Sequence, residues 1–300
     1  MVRLWALVGI AGISFSAVFV RLSEASFGTS AFFRAAYAVP LLIALMAVWR
    51  VPDARPVRAR VLAWVAGLVF AVNLVVWHAA IDLIGAGLST VMGNTQVVVI
   101  GLVSWWLYGE RPTRWALFAV PLVLVGVVLI TGLGAADAYG AAPMAGVLLG
   151  VFTAFASGSY VLLFRAALRV PADAVHPAGP LLDVTAATAL GALALGWAVD
   201  PGFTLVPGWP SHGWLFALAL VSQVVGWLLI GRSLARLPAL VTAVLMPLQP
   251  LLTVVWGRLL FEEVLSTAQW AGVAIVLGGV LLVNVFGSVR VRPGGPTSAR

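Results

Sequence analysis

The sequence has no cysteine, no lysine, only ten acidic residues and no polar stretch long enough to make a soluble domain. Without cysteine there are no disulfides, thiolate nucleophiles or cysteine-ligated metals. Charged residues make up 9% of the 300 positions and hydrophobic ones 62%, too little polar surface to wrap a water-soluble fold of this length. Also missing are a His-Glu-x-x-His zinc helix, a Gly-x-Ser-x-Gly elbow, a phosphate-cradling Walker loop and a pair of carboxylates deep in a hydrophobic run. These gaps speak against an enzyme, and no cofactor or metal is expected. All 17 basic residues are arginine and the net charge is +7. In so apolar a chain they mark loops beside a lipid bilayer rather than a nucleic-acid footprint.

What is abundant is hydrophobic run. A spanning helix takes about 20 apolar residues, and ten such runs fit: 4–22, 29–49, 61–81, 86–108, 114–133, 143–165, 178–199, 212–230, 239–260 and 267–287. Their limits fall at charge, Gly and Pro clusters. The first run lacks a convincing small-x-small cleavage site and has a counterpart in the sixth, so it reads as a spanning helix rather than a signal peptide. The expected fold class is all-α, an integral membrane protein of ten transmembrane helices.

The runs repeat. Ser89, Gln96, Glu110 and Thr113 answer to Thr242, Gln249, Glu263 and Ser266, every pair 153 positions apart, and Gly126 and Gly279 continue the register. Each copy is a hydrophobic helix with a central glutamine, an acidic turn and a hydroxyl residue placed to cap the next helix. Ser16, Phe19 and Val20 likewise answer to Ser157, Tyr160 and Val161, 141 positions on. Residues 1–134 and 143–289 thus form two five-helix repeats, followed by a cytoplasmic tail at 290–300. An odd number of spans per repeat turns the second upside down relative to the first. With a cytoplasmic N-terminus, fourteen of the seventeen arginines lie in inner loops and tails, whereas Glu24, Asp82, Asp137, Asp200, Glu262 and Glu263 lie outside. Both termini are then cytoplasmic. Inverted repeats around a central cavity are typical of secondary transporters.

Polar side chains at membrane depth are costly unless they meet a cavity or a partner. They are Asn73 and His78 in the third run, Ser89, Asn94 and Gln96 in the fourth, Ser222 and Gln223 in the eighth, and Gln249 and Thr253 in the ninth. Either they contact a substrate or they bond neighbouring helices. Ser89 and Gln96 are seven apart, as are Thr242 and Gln249, which puts each pair on one helix face. His78 is the one histidine well inside a run, and is a proton acceptor, a substrate contact or a neutral hydrogen-bonding residue. Trp77, Trp227, Phe19 and Tyr160 are placed to wall a cavity, so the candidate substrate-binding set is His78, Gln96, Gln249, Asn73, Trp77, Tyr160, Phe19 and Trp227. Arg34 and Asp183 each sit about five residues into the second helix of their half, roughly 8 Å deep, and are expected to snorkel at opposite faces without pairing. Pro247 and Pro250 flank Gln249, freeing carbonyls there. Asn94 stands where the other repeat has Pro247, which gives no reason to expect a symmetric kink. Gly146 with Gly150, and Ala274 with Gly278, have the spacing of close helix contacts.

Ten helices in two inverted halves, each half ending in a Gly-Glu-Arg-Pro-Thr (109–113) or Glu-Glu-Val-Leu-Ser (262–266) turn and a glycine-bearing last helix, resemble the drug/metabolite transporter superfamily, specifically its EamA family, over residues 4–287. The resemblance implies export of small metabolites across a bacterial inner membrane by alternating access, the bacterial amino-acid exporters being the nearest fit. Relatives that carry sugar phosphates are expected to hold phosphate with Lys or Arg, and no arginine is expected at the midplane here, which disfavours a phosphorylated substrate. Amides, a histidine and aromatic walls suit a zwitterion with an apolar or aromatic side chain, Met and Thr included. A multidrug exporter of the same fold and a non-transporting membrane sensor are the alternatives. A homodimer is compatible with the sequence.

Overall fold

A computed structural model describes residues 2–49, 53–108, 113–132, 137–170, 176, 178–234, 237 and 245–286, and among them every regular element is helical. These are α1 (Val2–Ser14), α2 (Ser16–Ser23), α3 (Phe27–Trp49), α4 (Val57–Asn94), α5 (Gln96–Tyr108), α6 (Arg114–Ile130), α7 (Pro143–Ala167), α8 (Gly179–Val199), α9 (Ser211–Ala217), a π-helical stretch (Leu218–Gly226), α10 (Trp227–Leu234), α11 (Leu248–Phe261) and α12 (Thr267–Phe286). Seven stretches of the described chain are long and apolar enough to cross a membrane, and two shorter apolar helices lie at Leu117–Ile130 and Leu248–Phe261. The protein is a multi-pass membrane protein. The 109–112 turn with Glu110, Thr242 and the 290–300 tail lie outside the described residues.

One of the seven stretches, Val57–Val103, has 47 residues. Straight, it would be roughly 70 Å long, more than twice the hydrocarbon thickness. The chain turns instead at Gly85, whose φ of 80° and ψ of 172° belong to a region essentially reserved for glycine. The turn falls between the third and fourth runs of the sequence. A Cβ at Gly85 would sit 2.6 Å from Glu263 Oε1 and 2.8 Å from the Tyr139 ring. Backbone strain and overpacking add here, so Gly85→Ala is expected to cost about 3 kcal/mol, read as a large fall in Tm of the detergent-purified protein; an unchanged Tm would show that the turn carries no strain.

Past the turn a new helix begins at Ala86, and its first N–H groups need acceptors. Glu263 supplies them: Ala86 N donates to Oε1 at 2.8 Å and Gly87 N to Oε2 at 3.1 Å. Arg21 Nη1 pairs with the same carboxylate. Sequence analysis placed Glu263 in an outer turn beside Glu262, but its side chain is only 2% exposed. The cause is local, because Glu262 ends α11 in the left-handed conformation (φ 54°) and so turns the next side chain inward. Three residues on, Ser266 Oγ accepts from Gln269 N at 3.2 Å while Gln269 Oε1 accepts from Ser266 N at 3.1 Å. This reciprocal cap starts α12, as the repeated hydroxyl position predicts.

The main packing pairs join the two halves of the chain: α3 with α8, α4 with α7, α8 and α11, α6 with α12, and α1 with the π-helical stretch and α10. Glycines allow the closest approaches. A Cβ on Gly272 would be 2.7 Å from Gly126 O, one on Gly226 3.4 Å from Gly9 O, and ones on Gly146 and Gly150 would strike Ile84 and Met92. Gly278, expected at a helix contact, faces open space, whereas Gly279 packs on Val123.

Carboxylates tie the ends of α3 and α8. Gly28 N, at the start of α3, donates to Asp200 Oδ2 at 2.8 Å beyond the end of α8. Beyond the end of α3, Asp53 lies against Gly179 at the start of α8 and is forked by Arg55 at 2.7 and 2.8 Å. Arg55 also donates to Asp183 at 2.8 Å, so the partner of Asp183 is Arg55. The hydrogen bonds from Arg55 hold the Asp53 carboxyl below the ordinary carboxylate range. The folded protein therefore binds fewer protons there than the unfolded chain, and the stabilisation is present above the ordinary carboxylate pKa and lost as pH falls through the folded value. Asp53→Asn is expected to flatten the acid limb of a Tm-versus-pH curve; an unaltered acid limb would refute the linkage.

Candidate substrate cavity

A cavity of about 140 Å³ lies among α1, α2, α3, α4, α5, α7, α10 and α11. Two helix starts that follow a turn reach it. In one, α4 stops at Asn94 and Thr95 turns before α5 begins at Gln96; in the other, the chain turns at Met246 and Pro247 before α11 begins. In the 153-position register the two turns are displaced: Thr95 answers to Leu248, the first residue of α11, and Pro247 to Asn94, the last residue of α4. Asn94 Nδ2 donates to Thr90 O at 2.9 Å and Thr95 Oγ1 to Met92 O at 2.7 Å, meeting carbonyls that an unbroken helix would engage. Asn94 Nδ2 also reaches Gln249 Oε1 at 3.4 Å, so the two breaks touch. The break also removes the shared face expected of Ser89 and Gln96, since Ser89 is fully buried and donates to Ala86 O.

Five of the eight candidate residues come together on the cavity wall: Asn73, Gln96, Gln249, Trp77 and Trp227. Asn73 uses its amide donors on α7, to Thr153 O at 3.0 Å and Ser157 Oγ at 2.9 Å. Tyr160 sits behind the wall, stacked on Phe70 at 4.5 Å and on Phe164 at 5.7 Å. His78 follows Trp77 but turns away from the cavity, fully buried with Nδ1 3.3 Å from Phe27 O. Phe19 belongs to an aromatic row, Trp256–Phe15–Phe19–Trp214, with centroids 4.8, 5.8 and 6.2 Å apart. Along α1 and α2 the order is cavity wall (Ile10, Ile13, Ser16), aromatic row, then the Arg21–Glu263 ion pair.

Arg34 is the residue that sequence reasoning misplaced. The helix starts at Phe27, which puts Arg34 seven residues in, roughly 10 Å along the axis. Its side chain lines the cavity and is 4% exposed. Nε donates to Gln223 Oε1 at 2.9 Å, and the guanidinium carbon stands 5.8 Å from the Trp77 ring centroid. Among the described residues this is its one side-chain hydrogen bond, and no carboxylate lies within salt-bridge distance. Gln223 is aimed by the π-helical stretch, whose wider turn lets Ser222 donate to Gly12 O at 2.8 Å while Gln223 points toward α3 and α8. The available signal was the general rule that an ionisable group at membrane depth is functional. Its partner, on a helix nearly two hundred positions away, has no sequence signature.

A multi-pass helical protein in which a helix broken at Thr95 borders a cavity lined by amides, an arginine and aromatic rings has the architecture of a membrane transporter. The chain belongs to the EamA-like transporter family, whose family model matches residues 1–132 and 144–285. It is 23% identical over 246 residues, 80% of this chain and 79% of the other, to the uncharacterized transporter YwfM of Bacillus subtilis (strain 168). Over 71 residues, 24% of this chain and 60% of the other, it is 36% identical to the probable 4-amino-4-deoxy-L-arabinose-phosphoundecaprenol flippase subunit ArnE of Pseudomonas fluorescens (strain Pf0-1). A crystal structure aligns over 97% of this chain and 99% of the other at 19% identity with a TM-score of 0.59, a likeness of fold.

Proposed function

We propose that the protein is a secondary exporter of the bacterial inner membrane that moves small carboxylate-bearing metabolites, foremost amino acids with apolar or aromatic side chains, by alternating access between two inverted five-helix halves. The observation that carries this reading is the cavity itself: amides of Gln96, Gln249 and Asn94, the Arg34 guanidinium, and the rings of Trp77, Trp227 and Phe70 around one small space. Amides meet polar ends in either sense and the rings take an apolar side chain. The sequence-based reason against a phosphorylated substrate falls, because an arginine does reach the cavity. A different reason replaces it: a phosphomonoester would bring close to two negative charges to one cation, leaving buried charge uncompensated.

Two observations favour the inverted halves and the ten spans. Exchanging first-half spans for their second-half equivalents maps the packing pairs onto one another, α3 with α8 and α6 with α12 onto themselves and α1 with α10 onto α7 with α4. The two stretches matched by the family model also fall on the two halves. The loops after the second span of each half should then face opposite sides. Cysteine placed at exposed Ala54 is expected to react from the cytoplasm and at Val206, 74% exposed, from outside; labelling of both from one side would refute the inversion. Transport itself is tested by screening labelled amino acids in proteoliposomes with and without a proton gradient. Movement of neutral amino acids supports the reading, and movement of lipophilic cations alone would replace it with a multidrug exporter.

A further inference from the structure

Among the described residues of the cavity wall Arg34 is the one charged group, and it has no counter-charge. It is held from behind rather than free to swing away, by the 2.9 Å bond to Gln223 and the face of Trp77. The cavity wall thus carries a fixed positive charge on a side chain that is itself buried, where a charge is stabilised by an opposite charge brought to it. The wall offers an ammonium group much less. It presents only neutral acceptors, and Gln249 Oε1 is already approached by Asn94 Nδ2. In an α-amino acid the ammonium is two bonds from the carboxylate carbon, so a carboxylate seated on Arg34 would bring the ammonium toward the same guanidinium.

From this inventory we infer that the cavity recognises its cargo by the carboxylate and not by the ammonium, and that monocarboxylates with an apolar or aromatic side chain and no amino group, such as 2-oxo acids, are ligands at least as good as the matching amino acids. This rests on the reading that the cavity is the transport site. A monoanion leaving a cell with an inside-negative potential carries charge down the electrical gradient, so its efflux is driven by the membrane potential with no coupled proton required.

The test uses the purified full-length protein and three ligands with one side chain: phenylpyruvate, phenylalanine and phenethylamine. Binding is read from tryptophan fluorescence, since Trp77 and Trp227 line the cavity, and transport from proteoliposomes under an imposed potassium-diffusion potential. The expected order is phenylpyruvate equal to or tighter than phenylalanine, with phenethylamine at least tenfold weaker. Arg34→Gln is expected to weaken the acid at least tenfold, and Arg34→Lys to restore part of the loss. Phenylpyruvate flux should follow the sign of the potential and phenylalanine flux should not. The inference is overturned if phenylpyruvate does not bind, if phenethylamine binds as well as the acid, or if Arg34→Gln leaves acid binding unchanged. Should that variant not fold, the ligand order in the unaltered protein decides alone. Transport of phenylalanine with no response to phenylpyruvate would sink this inference and leave the exporter reading standing; Arg34-dependent acid binding with no transport of any solute would do the reverse.

Discussion

Glu263→Ala is expected to destabilise the protein by about 3 kcal/mol, with a fall in Tm and in yield of folded protein. The carboxylate does three things at once. It accepts the first two N–H groups of the helix that begins at Ala86, it pairs with Arg21, and it fills the space left by Gly85, Gly87 and Gly257, where added Cβ atoms would lie 2.6, 3.2 and 2.3 Å from its oxygens. Alanine leaves two buried donors without acceptors and opens a void beside three glycines. Arg21 suffers less, because it is 29% exposed and also lies 4.2 Å from the Phe261 ring centroid, so water and the ring can replace part of the loss. Arg21→Gln should therefore cost no more than about 1 kcal/mol. Glu263→Gln, which keeps one acceptor oxygen and most of the volume, should fall between the two. Thermal unfolding of the three variants in one detergent decides the matter. Equal, small effects would mean that the carboxylate is an ordinary surface acid, and a larger effect at Arg21 would mean that the charge outweighs the helix cap.

That same glutamate shows where sequence reading stops. The match of Glu110 to Glu263 and of Thr113 to Ser266 is visible as a repeat, and from it the hydroxyl cap of α12 follows directly. The role of Glu263 does not, because it depends on the left-handed turn at Glu262 and on a helix start at Ala86, both properties of the backbone. Repeat symmetry also identifies equivalent positions without saying where side chains point. Phe19 and Tyr160 are equivalents, yet one joins the aromatic row and the other stacks behind Phe70. Helix position was legible from hydrophobic runs, and the amides and tryptophans of the cavity from their rarity at depth. Arg34 was not, because counting depth along a helix ignores rotation about its axis, and the π-helical stretch that delivers Gln223 to it leaves no periodic trace in an apolar segment.

Gln96→Ala and Gln249→Ala are each expected to reduce transport ten- to a hundredfold at limiting substrate while leaving Tm nearly unchanged. The two amides sit at equivalent positions just after the two helix breaks and line one cavity. What distinguishes them from the other polar residues there is how little they do for the fold. Gln96 is half-buried with no side-chain hydrogen bond among the described residues, and Gln249 Oε1 has only the long 3.4 Å contact from Asn94. Asn73 is the contrast, since both of its bonds hold α4 to α7, and Asn73→Ala should lower Tm by several degrees. A lost hydrogen bond to a charged end of a substrate is worth about 1.5 to 3 kcal/mol, which is the source of the ten- to hundredfold figure. Because Asn94 Nδ2 reaches Gln249 Oε1, Asn94→Ala combined with Gln249→Ala should fall short of the sum of the two single effects. Normal transport by both glutamine variants would remove the pair from the binding site, and a collapse of Tm in both would make them helix-packing residues of the same kind as Asn73.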